Sequence, residues 1–154
     1  MLPCLQKLCL VKVKLDEQTI QSLISNCKSM EDLRLIRCSG LNELKICNHI
    51  KLNRIEVYQC HGIRKVELGC SNLDTILFRG NDFRPCKISL GSCKFLKNLT
   101  LGCVQPLTGE KGCILHEFIE KLTTTVLSVK REKKSLEKRP IQTNVWMPDS
   151  RVRY

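Results

Sequence analysis

The sequence predicts an α/β solenoid of about five coils, with short parallel strands and two outer helices. One apolar pattern recurs five times in register between residues 5 and 104. Two further segments carry their apolar residues at helical spacing instead. The chain has 154 residues, 42% hydrophobic and 27% charged, a composition that folds rather than stays disordered.

The recurring pattern is apolar-x-x-apolar-x-apolar-x-x followed by cysteine, asparagine or valine. Leu5-x-x-Leu8-x-Leu10-x-x-Val13 opens it, and Met30-x-x-Leu33-x-Leu35-x-x-Cys38 follows. Leu52-x-x-Ile55-x-Val57-x-x-Cys60 and Leu73-x-x-Ile76-x-Phe78-x-x-Asn81 continue it. Leu96-x-x-Leu99-x-Leu101-x-x-Val104 closes it. The second apolar positions are 8, 33, 55, 76 and 99, so the steps are 25, 22, 21 and 23 residues. Both the core pattern and the steps are those of leucine-rich repeats. Alternating apolar residues lay a short strand with one face inward. The terminal asparagine or cysteine sits where the chain leaves the strand, and it can satisfy backbone groups of neighbouring turns. A single coil cannot bury its apolar face, whereas stacked coils share a continuous core.

A second series lies between the first: Leu41-x-x-Leu44-x-Ile46, Ile63-x-x-Val66-x-Leu68 and Phe83-x-x-Cys86-x-Ile88-x-Leu90. If each segment began its own coil, every coil would be about half the ~20-residue minimum of this repeat class. The two series are therefore expected on opposite faces of the same coils, in separate sheets.

The first helix is expected between Asp16 and Cys27, where Ile20, Leu23, Ile24 and Cys27 share one face and Asp16 serves as N-cap. The second is expected between Cys113 and Leu122, through Leu115, Phe118 and Ile119, with Lys121 in its last turn. Val126-Leu127-Ser128-Val129 reads as a final degraded strand. The repeat domain is thus expected over residues 1–129, with residues 130–154 a basic, disordered tail.

The eleven cysteines are an odd number, and Met1–Lys7 does not read as a secretory leader. Free thiols in a reducing compartment are expected, cytoplasmic or nuclear. No C-x-x-C pair marks a metal site, and buried cysteines serve as small apolar residues. No run of ~18 apolar residues marks a membrane helix. The 26 basic and 15 acidic side chains leave a formal charge of +11. Lys130-Arg131-Glu132-Lys133-Lys134 gives a rival reading as a nucleic-acid-binding or nuclear scaffold protein acting through its tail. Only 5% of residues are aromatic, which leaves few platforms for stacking bases.

Catalysis is not expected. His49 and His61 fall in turns, and His116 falls on the second expected helix. Cys60 is accounted for by the repeat slot. Gly109-x-x-Gly112 lacks the lysine and hydroxyl of a phosphate-binding loop. Neither a cofactor nor a metal is expected.

Leu5-Gln6-Lys7-Leu8-Cys9-Leu10, the run from Cys27 to Ile46, Leu52 to Cys60 and Cys70 to Gly80 together resemble the plant F-box/leucine-rich-repeat proteins of the FBD-associated group. The resemblance covers residues 3–127 and is most specific over 27–80. It implies a ubiquitin-ligase receptor in which an F-box docks onto a cullin-type ligase and the repeats hold a substrate protein. Leu2-Pro3 leads straight into a repeat strand rather than into an F-box, and no FBD segment is recognised. A truncated product or partial gene model is therefore expected, with ligase assembly only where an F-box is supplied.

Binding is expected on the outward strand positions, which alternate with the buried leucines. These are Lys7, Cys9 and Val11; Asp32, Arg34 and Ile36; Arg54, Glu56 and Tyr58; Thr75, Leu77 and Arg79; then Asn98, Thr100 and Gly102. Arg34, Arg54, Glu56, Tyr58, Leu77 and Arg79 are the candidate contacts for a protein partner, tyrosine and arginine being enriched where interfaces hold most of their energy.

Overall fold

The computed structural model describes residues 4–80, 86–90, 93–103 and 142–146. In chain order these form β1 (Lys7–Val11), α1 (Glu17–Asn26), β2 (Asp32–Ile36), β3 (Glu43–Cys47) and β4 (Arg54–Tyr58). Then come β5 (Lys65–Gly69), β6 (Thr75–Gly80), β7 (Lys87–Ser89), β8 (Asn98–Cys103) and β9 (Gln142–Trp146).

The strands fall into two parallel sheets. The larger runs β1-β2-β4-β6-β8-β9, and the smaller runs β3-β5-β7. Strands skip a neighbour in sequence because each coil visits the large sheet and then the small one. The two repeat series thus lie in separate sheets, as the coil-length argument requires. Register is straight across both. Leu8, Leu33, Ile55, Ile76 and Leu99 form one inward row of the large sheet. Leu10, Leu35, Val57, Phe78 and Leu101 form the next. Leu44, Val66 and Ile88 pair likewise in the small sheet. These rows meet in one core, with Leu33, Leu35, Leu44, Leu73 and Leu96 fully buried. A buried aliphatic side chain of this size contributes about 1.5–3 kcal/mol relative to exposure.

Helix α1 replaces a small-sheet strand in the first coil. Asp16 caps it, its side chain accepting from the Thr19 N–H at 2.7 Å. Ile20 and Ile24 point into the core. Its polar face closes the free edge of β3: the Glu17 carboxylate accepts from the Asn42 N–H at 2.9 Å, and the Gln21 amide donates to the Lys45 carbonyl. These contacts give the Asn42 N–H and the Lys45 carbonyl partners where no upstream strand supplies them.

The slot after each strand binds coils together. The Cys38 thiol donates to the Leu10 carbonyl at 3.3 Å, and Cys60 donates to that of Leu35 at 3.3 Å. On the small-sheet side Cys70 donates to Ile46 at 3.4 Å, and Cys93 to Leu68 at 3.5 Å. Each bond reaches back one coil, as the asparagine-or-cysteine slot requires. His49 occupies the same kind of position after β3. It is buried, with Nε2 3.0 Å from the Cys27 carbonyl.

Just before these slots the backbone turns through the left-handed region at Lys12, Arg37, Asn48 and Gln59, with φ of 56°, 53°, 60° and 52°. Each of these residues donates its N–H to the next coil: Lys12 to Ile36, Arg37 to Tyr58, Asn48 to Gly69 and Gln59 to Arg79. The bonds offset a conformation that costs a non-glycine residue roughly 1–2 kcal/mol.

Residues 142–146, inside the stretch expected as a tail, form β9 and pair in parallel with β8. The structure differs there from the expected tail. The physical reason is the open edge of β8, whose backbone groups seek partners, together with the strand-favouring Thr143, Val145 and Trp146. The expected second helix at 113–122 and the degraded strand at 126–129 lie outside the described residues.

Candidate functional site

The outward side of the large sheet carries three rows set by strand register. At the strand starts stand Lys7, Asp32, Arg54, Thr75 and Asn98. The middle row is Cys9, Arg34, Glu56, Leu77 and Thr100. At the strand ends stand Val11, Ile36, Tyr58, Arg79 and Gly102. All six candidate contacts fall on this one face, and all are partly exposed.

Four of these side chains form a closed ring of charge. Arg34 grips Asp32 through two nitrogens, at 2.8 Å from Nη2 and 3.1 Å from Nε. Arg34 Nε also lies 3.8 Å from Glu56. Arg54 reaches Glu56 at 3.3 Å and Asp32 at 3.9 Å. The two carboxylates lie lower in the sheet, with side chains 10% and 18% exposed, under guanidinium groups 41% and 37% exposed. The hydrogen bonds from Arg34 to Asp32, and the charge of that carboxylate, hold Arg34 above its ordinary pKa. Arg34 and Arg54 are therefore neutralised within the sheet and present a polar, hydrogen-bonding plateau.

The strand-end row has another character. Val11 is 50% exposed, and Ile36 and Tyr58 are partly exposed beside it. Immediately beyond stand Lys12 and Arg37, both exposed. Arg37 Nε donates to the Gln59 side chain at 2.8 Å, which fixes its direction along the rim. Lys12 and Arg37 were not among the sequence candidates. Their signal was present as the residue before the Cys38-type slot, but only the left-handed turn sets them at the rim.

The small sheet looks different again. Its outward residues pair internally: Lys45 with Glu67 at 2.9 Å, and Lys65 with Glu43 at 2.5 Å and Glu67 at 3.6 Å. The Lys45 contact pulls the Glu67 carboxylate below its ordinary range, and the Glu43 contact raises Lys65. Lys45, Lys65, Glu43 and Glu67 thus satisfy one another, and among the described residues no apolar row stands outward on this sheet.

Among the described residues, no three histidine, cysteine, aspartate or glutamate side chains gather in a way that would hold a metal ion. Burial pushes the Cys60 and Cys93 thiols up to about 11 and Cys86 to about 12, so these are inert structural groups.

No curated protein and no solved structure matches the chain. A family model does, over residues 1–141: the leucine-rich-repeat domain of the At1g61320/AtMIF1 type. Parallel sheets in straight register, a repeat slot bonded from coil to coil and a match over most of the chain agree: the chain belongs to the At1g61320/AtMIF1 leucine-rich-repeat domain family.

Proposed function

We propose that this protein is a non-enzymatic interaction module that holds a protein partner on the outward face of its large sheet. The supporting observation is the contrast between the two sheets. The small one pairs Lys45 and Lys65 with Glu43 and Glu67, whereas the large one aligns Val11, Ile36, Tyr58 and Arg79, with Leu77 one row in, beside a neutralised ring. Apolar and aromatic side chains held at the surface at a packing cost are what a binding face offers. The finer reading is a substrate-holding part of a ubiquitin-ligase receptor, working with an F-box supplied in the assembled receptor. The proposed compartment is the cytoplasm or nucleus. The reason is chemical: the buried thiols of Cys38, Cys60, Cys70 and Cys93 bond as hydrogen donors, and oxidation would remove those hydrogens.

Photocrosslinking tests this. A benzophenone amino acid placed at Leu77 on the large sheet is expected to give discrete protein adducts in cell extract, and one placed at Lys45 on the small sheet is not. Adducts from Lys45 alone would overturn the assignment of the face. In the ligase reading, the adducted partner accumulates when the proteasome is inhibited.

A further inference from the structure

Charge is distributed unevenly along the strand direction of the large sheet. At the strand starts, cations and carboxylates alternate: Lys7, Glu31, Asp32, Arg54, Asp74 and Lys97, with Lys97 3.9 Å from Asp74. At the strand ends the balance is lost. Residues 11–14, 36–39 and 58–61 carry Lys12, Lys14 and Arg37 and no carboxylate. The apolar row of Val11, Ile36 and Tyr58 runs along the inside of this cationic rim.

We propose that this strand-end rim docks an extended, acidic segment of a partner protein whose aliphatic side chains seat on Val11, Ile36 and Tyr58. This deepens the interaction-module reading and rests on it. The size of the face favours a segment over a globular domain. Six strands spaced ~4.8 Å apart, each about five residues at ~3.3 Å per residue, offer a flat area of roughly 24 by 13 Å. That is about two fifths of the ~800 Å² each partner contributes to a standard interface. An extended peptide presents alternate side chains to one side ~7 Å apart, which matches a three-strand row ~10 Å long. Carboxylates flanking the aliphatic pair then reach Lys12 and Arg37. Nucleic acid is disfavoured because the apolar row of Val11, Ile36 and Tyr58 gives a phosphate nothing.

The test uses the full chain and three fluorescein-labelled probes: a peptide with two leucines at alternate positions among glutamates, an oligoglutamate of equal charge, and a single-stranded RNA. Anisotropy should show the leucine-containing peptide binding most tightly. Lys12→Glu with Arg37→Glu should weaken it at least about tenfold through charge reversal, and Ile36→Asp by a similar factor. Lys7→Glu, at the other end of β1, should change it less than about twofold. Urea unfolding midpoints confirm that each variant folds, and the milder Lys12→Gln with Arg37→Gln should lie between wild type and reversal. Equal binding of oligoglutamate, tighter binding of RNA, or no saturable peptide binding would each overturn the proposal. Adducts from Leu77 alongside such a result would leave the interaction-module reading standing and remove only this partner chemistry.

Discussion

The Cys60 thiol lies 3.3 Å from the Leu35 carbonyl, one coil upstream, and donates its proton there. A weak donor is thereby placed where the repeat needs a bridge between turns, at a site only 8% exposed. Cys60→Ala removes the bridge and leaves a small void, and should cost about 1–2 kcal/mol. Cys60→Ser keeps a donor but buries a hydroxyl in a site shaped for sulfur. The two variants, compared by urea unfolding, weigh the bond against the volume.

Alkali should unfold this protein early. Burial holds the thiols of Cys60 and Cys93 up to about 11 and that of Cys86 up to about 12, against an ordinary value of 9.0. Between these values the unfolded chain has lost thiol protons that the native chain keeps, so stability falls as pH rises. It is fully present below pH 9 and declines as pH climbs from 9 towards 11. Urea midpoints measured across that window should fall, and Cys60→Ala should reduce the slope. At lower pH, iodoacetamide should label exposed Cys4 and Cys9 long before these three.

The pair Asp32–Arg34 is coupled through a two-nitrogen contact on one strand, with Asp32 largely covered. Arg34→Ala should lower the urea midpoint, because Asp32 then keeps only the longer Arg54 contact. Asp32→Asn combined with Arg34→Ala should recover part of the loss. A double-mutant cycle by urea unfolding should give a favourable coupling that shrinks in high salt.

Gly40 and Gly62 hold the same turn in successive coils, with φ of 92° and 93°. Their surroundings differ. A Cβ at Gly40 would lie 2.3 Å from the Leu15 carbonyl oxygen, whereas at Gly62 the nearest atom, the Leu41 oxygen, is 3.2 Å away. Both alanine variants meet backbone strain, and Gly40→Ala also forces two backbone segments apart. The melting temperature should fall for both, and further for Gly40→Ala, by the equivalent of at least about 1 kcal/mol.

The architecture was legible because leucine spacing encodes it. Leu33 and Leu35 recur as Ile55 and Val57 and again as Ile76 and Phe78, and a coil-length argument alone separated the second series into its own sheet. Asp16 announced the helix start. The left-handed turns at Lys12, Arg37 and Gln59 were not legible, because no glycine marks them and the coil-to-coil N–H bonds that hold them exist only after folding. His49 read as a turn residue, since nothing in its neighbours signals the Cys27 carbonyl it reaches. For the site, outward alternation found all six candidate contacts on one face. It did not reveal that Arg34 and Arg54 are neutralised by Asp32 and Glu56: the short contacts join alternate residues of one strand, and the longer ones that close the ring depend on strand register, a tertiary property. Nor did it anticipate residues 142–146 returning to the sheet, since a pairing across such a sequence gap leaves no local periodicity.

Asp32 faces Arg54, and Glu43 faces Lys65, across the same offset of 22 positions. Both ladders advance in step there. A tandem copy of that stretch would therefore lengthen each ladder by a rung while leaving every other rung aligned, whereas a single added residue would turn one coil inside out. Inheritance by whole turns is open to such a molecule, so the span of its outward face can change over generations independently of the fit of its interior.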